Sequence, residues 1–252
     1  MDIRFDGKVV AVTGGGGGIG GAIVEAFVAV GARVFACDRS QEALDRFSSV
    51  PNVALAIADI SDRHAAAAWV KGVEDTSGQA IDVLVNCAGG SLSYRHKPIE
   101  EVSDAEWDDL LATNLHGTFA VCRAAAGAMR AAGQGRIINI SSGAGVRASL
   151  TRIQAYTAAK HAVVGLTRQL AVELGPHGIT VNAVAPGLVL TNAWRHRQWE
   201  SYGAQGQAAR LANIAMGRLA TPDDVKNAVV LLASPLAGFI TGHVIEPNGG
   251  AF

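Results

Sequence analysis

Tyr156 and Lys160, within Ala155-Tyr156-Thr157-Ala158-Ala159-Lys160, are the residues whose types and spacing most directly permit chemistry. Four positions apart on a helix, they share one face, and their side chains can converge. A free phenol ionises near pH 10 and exchanges protons poorly at neutrality. A nearby ammonium favours the phenolate and brings the group toward the working range of a general acid or base. Taken alone, the pair equally describes a packed phenol beside a solvated lysine. Two other features give it weight: a glycine run, Gly14 to Gly18, that follows an apolar stretch, and Ser142, which closes another. A glycine turn, a hydroxyl and a phenol–ammonium pair are together the parts of a redox site.

These groups are far apart in the chain and need a scaffold that brings them together. Residues 8–13, 33–37, 53–57, 82–85, 136–140, 179–184 and 243–245 read as short apolar strands. Between them lie helix-compatible segments near 19–30, 62–77, 104–132, 156–174 and 222–233. Apolar strands without polar alternation, separated by helices, imply a parallel sheet covered on both faces. The expected fold is α/β, one doubly wound domain over residues 1–252 with about seven parallel strands and helices on both faces. No linker, composition break or internal repeat divides the chain.

Composition narrows the function classes. With 49% hydrophobic and 17% charged residues, the chain is not disordered, and a net charge of -1 gives no argument for nucleic acid or an anionic membrane. No apolar run reaches the roughly 18 residues a membrane span needs, and the N-terminus lacks the pattern of a signal peptide. Cys37, Cys87 and Cys122 stand singly, and the seven histidines fall into no metal-ligand spacing. A metal-free protein of the reducing cytoplasm is expected.

The glycine run carries the cofactor argument. Glycine lets backbone amides approach a ligand closely, and at a helix N-terminus those amides and the helix dipole favour a pyrophosphate. Two registers fit: Gly15-x-Gly17-x-x-Gly20, and Thr13-Gly14-x-x-x-Gly18-Ile19-Gly20. The run follows a strand, opens a helix and has Asp38 eighteen residues after Gly20, the context of a Rossmann-type dinucleotide site. A carboxylate at Asp38 can accept from the adenosine ribose hydroxyls and repels a 2′-phosphate. Arg39 could instead grip that phosphate. The like-charge penalty from Asp38 favours NAD over NADP.

With these residues in hand, the chain resembles the short-chain dehydrogenase/reductase family over nearly its whole length. Thr13-Gly14-x-x-x-Gly18-Ile19-Gly20 matches the family's cofactor turn, and Asp59-Ile60 its adenine-contacting pair. Asn86-Cys87-Ala88-Gly89 matches its Asn-Asn-Ala-Gly segment except at Cys87. Asn114 sits where the family has its catalytic asparagine, and Ser142 follows Asn139-Ile140-Ser141 as the family serine does. The interval from Ser142 to Tyr156 is one residue longer than usual, which makes Ser141 an alternative. Pro186-Gly187 and Thr191 resemble the segment that touches the nicotinamide carboxamide. Asn248-Gly249-Gly250 replaces the usual Asp-Gly-Gly near the expected subunit interface.

The resemblance implies a homotetramer and a mechanism. Tyr156 would give a proton to a carbonyl oxygen or take one from an alcohol. Lys160 would lower its pKa and bind the nicotinamide ribose. Ser142 would hydrogen-bond the substrate oxygen, and Asn114 would hold a water of the proton relay. The substrate would be a small alcohol or carbonyl compound. A segment near 192–215 resembles the family's variable lid and contains Trp194, Arg195, His196, Arg197, Trp199 and Tyr202. Arg95, His96 and Lys97 are expected to border the same pocket. These groups suit a substrate with an aromatic ring, a carboxylate or a phosphate. They equally describe a helix with tryptophans packed inward and arginines in solvent. Alternative readings are an NADP-linked carbonyl or 3-oxoacyl reductase, an NAD(H)-binding redox sensor, and an oligomeric scaffold built on Leu166, Leu170 and Leu174.

Overall fold

The computed structural model describes residues 2–92, 94–149 and 151–251. Seven strands form one parallel sheet: β1 (Val9–Thr13), β2 (Arg33–Asp38), β3 (Val53–Ile57), β4 (Val83–Asn86), β5 (Gly135–Ile140), β6 (Ile179–Val184) and β7 (Val244–Ile245). Their spatial order is β3-β2-β1-β4-β5-β6-β7. The helices are α1 (Gly18–Ala29), α2 (Gln41–Leu44), α3 (Arg63–Ser77), α4 (Asp104–Leu111), α5 (Gly117–Ala132), α6 (Gln154–Leu174), α7 (Ala193–Glu200), α8 (Gly203–Ala212) and α9 (Pro222–Ala233).

The strands are apolar at consecutive positions because both faces of the sheet are covered. Val10 and Val12 of β1 and Val34 and Ala36 of β2 face Ile23, Val24 and Phe27 of α1 and Val225, Val229 and Leu232 of α9. Their neighbours Val9, Ala11, Phe35 and Cys37 face the opposite layer, with Trp69 and Val70 of α3, Val121 and Met129 of α5, and Leu174 of α6. Burying each large aliphatic side chain contributes roughly 1.5–3 kcal/mol, so two faces filled in this way fix the strand register. This is the doubly wound architecture expected from the strand pattern. Of the proposed leucine stripe, Leu174 is core and Leu170 packs against it.

Two elements differ from the sequence reading. Residues 104–132 are two helices, α4 and α5, joined by a π-helical turn over Ala112–His116. Such turns often mark functional sites, and this one contains Asn114. The short α2, capped by the Ser40 hydroxyl accepting from the Ala43 N–H at 3.2 Å, follows Asp38 directly and is too brief to leave a periodic signal.

The sheet order reverses between β1 and β4. The chain leaves β1 toward β2 and β3, then returns to place β4 on the other side. Crevices outside the carboxyl ends of strands at such switch points are where doubly wound folds bind ligands. Thr13, the last residue of β1, clamps this point: its hydroxyl accepts from the Cys87 N–H and the Ala88 N–H, both at 3.1 Å.

Candidate active site

A cleft of about 770 Å³ opens at this switch point. Its walls come from the turn after β1, the end of β2, the loops after β3, β4, β5 and β6, and helices α6, α7 and α8. Among its lining residues are Gly14, Gly18, Ile19, Gly20, Asp38, Arg39, Asp59, Ile60, Ala88, Gly89, Ser142, Tyr156, Lys160, Pro186, Gly187 and Thr191, all marked in the sequence. The fold therefore brings most of the expected residues to one place.

The structure distinguishes the two glycine registers. Gly14 and Gly18 have φ of +65° and +54°, and a side chain on Gly20 would strike the Gly14 carbonyl. Gly17, needed by the other register, has extended backbone and open space beside it. The turn is thus built on Gly14, Gly18 and Gly20, and apart from Ile19 the start of α1 carries no side chain in its first turn, a cradle of the kind a pyrophosphate occupies. At one end of it, Asp38 Oδ2 accepts from the Gly16 N–H at 3.2 Å and Oδ1 from the Ser40 N–H at 3.1 Å. The carboxylate is held in place against the glycine turn. The cradle and this acidic end fit a nicotinamide dinucleotide.

Two expected site residues do not face the cleft. Asn86 turns into the core, where its Nδ2 donates to Asn139 Oδ1 at 2.8 Å and to Cys122 Sγ at 3.2 Å. Asn139 in turn donates to the Thr167 hydroxyl at 2.9 Å. Asn86 is therefore a core residue that ties β4 to β5 and α6 and does not line the cleft. Asn114, fully buried, exchanges two hydrogen bonds of 2.9 Å with the backbone of Gly90 and donates a third to the Leu110 carbonyl at 3.0 Å. It holds the loop after β4, which lines the cleft.

At the other end of the cleft the catalytic candidates converge. Lys160 is buried, and its Nζ donates to the Ile140 carbonyl at 2.9 Å and lies 5.7 Å from the centre of the Tyr156 ring. Burial lowers its pKa to about 8. Burial also raises the Tyr156 phenol above its ordinary value, and the Ser142 hydroxyl and then the Arg195 guanidinium pull it back. The Lys160 ammonium is turned to a main-chain carbonyl and is itself desolvated. Gly89, at φ +147°, has no side chain between Asn114 Oδ1 and Lys160 Nζ, so both approach the same point.

The two serines separate clearly. The Ser141 hydroxyl is buried and donates to the Lys160 carbonyl at 3.0 Å, bracing α6. The Ser142 hydroxyl accepts from the Ala144 N–H at 3.2 Å and lies beside the phenol. The extra residue between Ser142 and Tyr156 is absorbed in the intervening loop, where Arg152 adopts a φ of +50°.

Around the phenol, Trp194, Arg195, Gln198, Tyr202 and Arg210 of the α7–α8 segment line the cleft, whereas His196 and Arg197 are exposed. His96 packs edge-on against Trp194 with ring centres 5.6 Å apart. Lys97 is consumed by Glu106, at 2.6 Å, and its carbonyl accepts from Gln154 at 3.1 Å. Sequence reasoning missed Arg147, Ser149, Thr151 and Ile153, all in the lining and all in the loop between Ser142 and Tyr156. Their position between two marked residues was the available signal.

Comparison with known proteins agrees with this geometry. A family model described as enoyl-(acyl carrier protein) reductase matches residues 14–251. The chain is 39% identical to D-threitol dehydrogenase of Mycolicibacterium smegmatis, over 99% of this chain and 95% of that protein. It is 35% identical to the 3-oxoacyl-(acyl-carrier-protein) reductase FabG of Vibrio harveyi, over 99% of each. The crystal structure of levodione reductase superimposes with a TM-score of 0.90 at 30% identity, covering 98% of both chains. The protein belongs to the short-chain dehydrogenase/reductase family. It is an oxidoreductase of that family, one whose members use nicotinamide cofactors.

Proposed function

We propose that this protein transfers a hydride between NAD and a secondary alcohol or ketone that bears an aromatic ring or an anionic group. The observation that carries the reading is the shared cleft: Tyr156, Lys160 and Ser142 at one end, the Gly14–Gly18–Gly20 turn between, and Asp38 at the other. Bound nicotinamide dinucleotide supplies the hydride chemistry, held by the glycine turn, Asp38, Asp59, Thr191 and Lys160. Tyr156 takes the proton from the alcohol oxygen in oxidation and returns it to the carbonyl oxygen in reduction. Ser142 donates to the same oxygen and stabilises its developing charge. Lys160 passes protons away from the phenol, and Asn114 holds the Gly90 loop that borders this path.

NAD is favoured because the Asp38 carboxylate, held by the Gly16 and Ser40 amides at the end of β2, would accept from the ribose hydroxyls and meet a 2′-phosphate with like charge. A second reading, an NADP-linked 3-oxoacyl reductase, draws on Arg39 in the cleft lining and on the likeness to the Vibrio harveyi reductase. The α7–α8 segment serves as the lid of one domain spanning the chain. Homotetramer assembly is supported by exposed Leu236, Phe239, Ile240 and Ile245 around β7. Three unpaired cysteines support a cytoplasmic setting.

The test is cofactor reduction across pooled secondary alcohols, sugars, hydroxy acids and aromatic diols, with NAD and NADP in parallel. Turnover with NAD on one pool supports the reading, and turnover with NADP alone favours the reductase. Silence in every pool with NADH binding intact favours a redox sensor.

A further inference from the structure

The cleft is electrically lopsided. Asp38 and Asp59 are the carboxylates in its described lining, and both lie at the ends of β2 and β3, on the dinucleotide side. The dinucleotide side also carries Arg39, whereas the phenol side contributes Arg147, Lys160, Arg195 and Arg210 with no carboxylate among the described lining. Arg147 is exposed and reaches Glu246 at 3.4 Å. Arg195 and Arg210 are half-buried, and among the described residues neither has a carboxylate within ion-pair distance. Arg210 instead lies over the Tyr202 ring, 3.9 Å from its centre.

Arg195 is the better placed of the two. Its guanidinium stacks over Trp194 at 4.9 Å, and Nη1 donates to the neutral Gln198 Oε1 at 3.0 Å. A guanidinium has five N–H donors in a planar fork, and the described contacts use one of them. Contact with the indole and the bond to Gln198 restrict the fork, so less freedom is lost when a planar anion meets it. A half-buried cation whose neighbours are an indole and an amide is paired by neither. It lines the same cleft as Tyr156, and the Trp194 on which it lies packs against His96, beside the reacting end of the cleft.

We propose that Arg195 is a specificity-determining residue that binds an anionic group on the substrate through a two-pronged hydrogen bond, so that the substrates are hydroxy or oxo acids rather than neutral polyols. A carboxylate and a phosphate monoester present the same paired oxygens to the fork. The inference rests on the oxidoreductase reading above and sharpens its substrate class. Arg197, on the same helix and exposed to solvent, is the natural control, carrying equal charge outside the cleft.

The experiment is calorimetric titration of the full chain, in the presence of NADH, with benzoate, phenyl phosphate and the neutral benzamide. At least one anion should bind ten-fold or more tightly than benzamide, and the tighter of the two identifies the anion class. Arg195→Gln should remove that preference, while Arg197→Gln should preserve it, with melting curves confirming that both variants are folded. Equal binding of anions and benzamide, or a preference that survives Arg195→Gln, overturns the proposal. The NADH titration and turnover of neutral secondary alcohols on the same samples report separately on the oxidoreductase reading. Neutral-alcohol turnover without anion preference removes this inference and leaves that reading in place.

Discussion

Asn114 and Gly90 exchange a reciprocal pair of hydrogen bonds: Asn114 Oδ1 accepts from the Gly90 N–H and Nδ2 donates to the Gly90 carbonyl, both at 2.9 Å. A side chain thereby pairs with the loop after β4 as a neighbouring strand would. The π-turn at Ala112–His116 makes this possible by interrupting the helical ladder where the side chain must reach out. Asn114→Ala leaves the Gly90 amide and carbonyl without these partners, at about 0.5–1.5 kcal/mol for each bond because Gly90 is only partly buried. A loss of about 1–3 kcal/mol is expected from urea unfolding, with turnover falling alongside it. An unchanged midpoint and slope would show that the loop does not depend on this pair.

The two adjacent serines should behave differently. Ser142→Ala removes a hydroxyl beside the phenol and should lower kcat by about 10²- to 10³-fold, with about 1 kcal/mol lost from its cap. Ser141→Ala removes a brace on α6 and should lower stability by about 1 kcal/mol with a smaller effect on kcat. Parallel steady-state kinetics and melting curves separate the two, and a reversed pattern would move the substrate contact to Ser141.

Lys160 gives the stability a pH signature. Its folded pKa is about 8, whereas an unfolded lysine titrates near 10.4. Between these values the unfolded chain binds more protons, so this group's contribution to stability rises with pH. Relative to Lys160→Met, the wild-type protein should gain on the order of 1–3 kcal/mol in urea unfolding from pH 8 to pH 10. A difference that is flat across that range would mean that the buried ammonium is not depressed.

Asp38→Ala removes the carboxylate that accepts from Gly16 and Ser40 and to which the proposal gives the ribose contact. The ratio of kcat/KM with NAD to that with NADP should fall at least ten-fold, or about 1.4 kcal/mol. An unchanged ratio would transfer cofactor selection to other residues, with Arg39 first among them.

Much of this was legible in the sequence, because the burial of both sheet faces makes runs such as Val83-Leu84-Val85 apolar without alternation, and the β6 bounds emerge as read. The glycine turn and Asp38 were legible because a dinucleotide demands both at a fixed separation. Asn86 was not, because a polar residue at a strand end can face either the crevice or the core. The register that sets Asn86 opposite Asn139 decides the matter, and register is a property of the sheet. The π-turn was equally hidden, since one extra residue per turn leaves little trace in the periodicity of 104–132. The Tyr156–Lys160 spacing announced a shared helix face but not that Lys160 would turn to the Ile140 carbonyl.

The most direct test of the account is single-turnover hydride transfer by Tyr156→Phe, followed by NADH absorbance, with NADH binding measured on the same sample. The phenol is buried in the cleft beside Ser142, and its hydroxyl is the one proton-exchanging group assigned to the substrate oxygen. The account predicts a loss of about 10²- to 10⁴-fold in the transfer rate with NADH affinity retained within about three-fold. A variant that transfers hydride at the wild-type rate would contradict the assignment of Tyr156 as the acid and base.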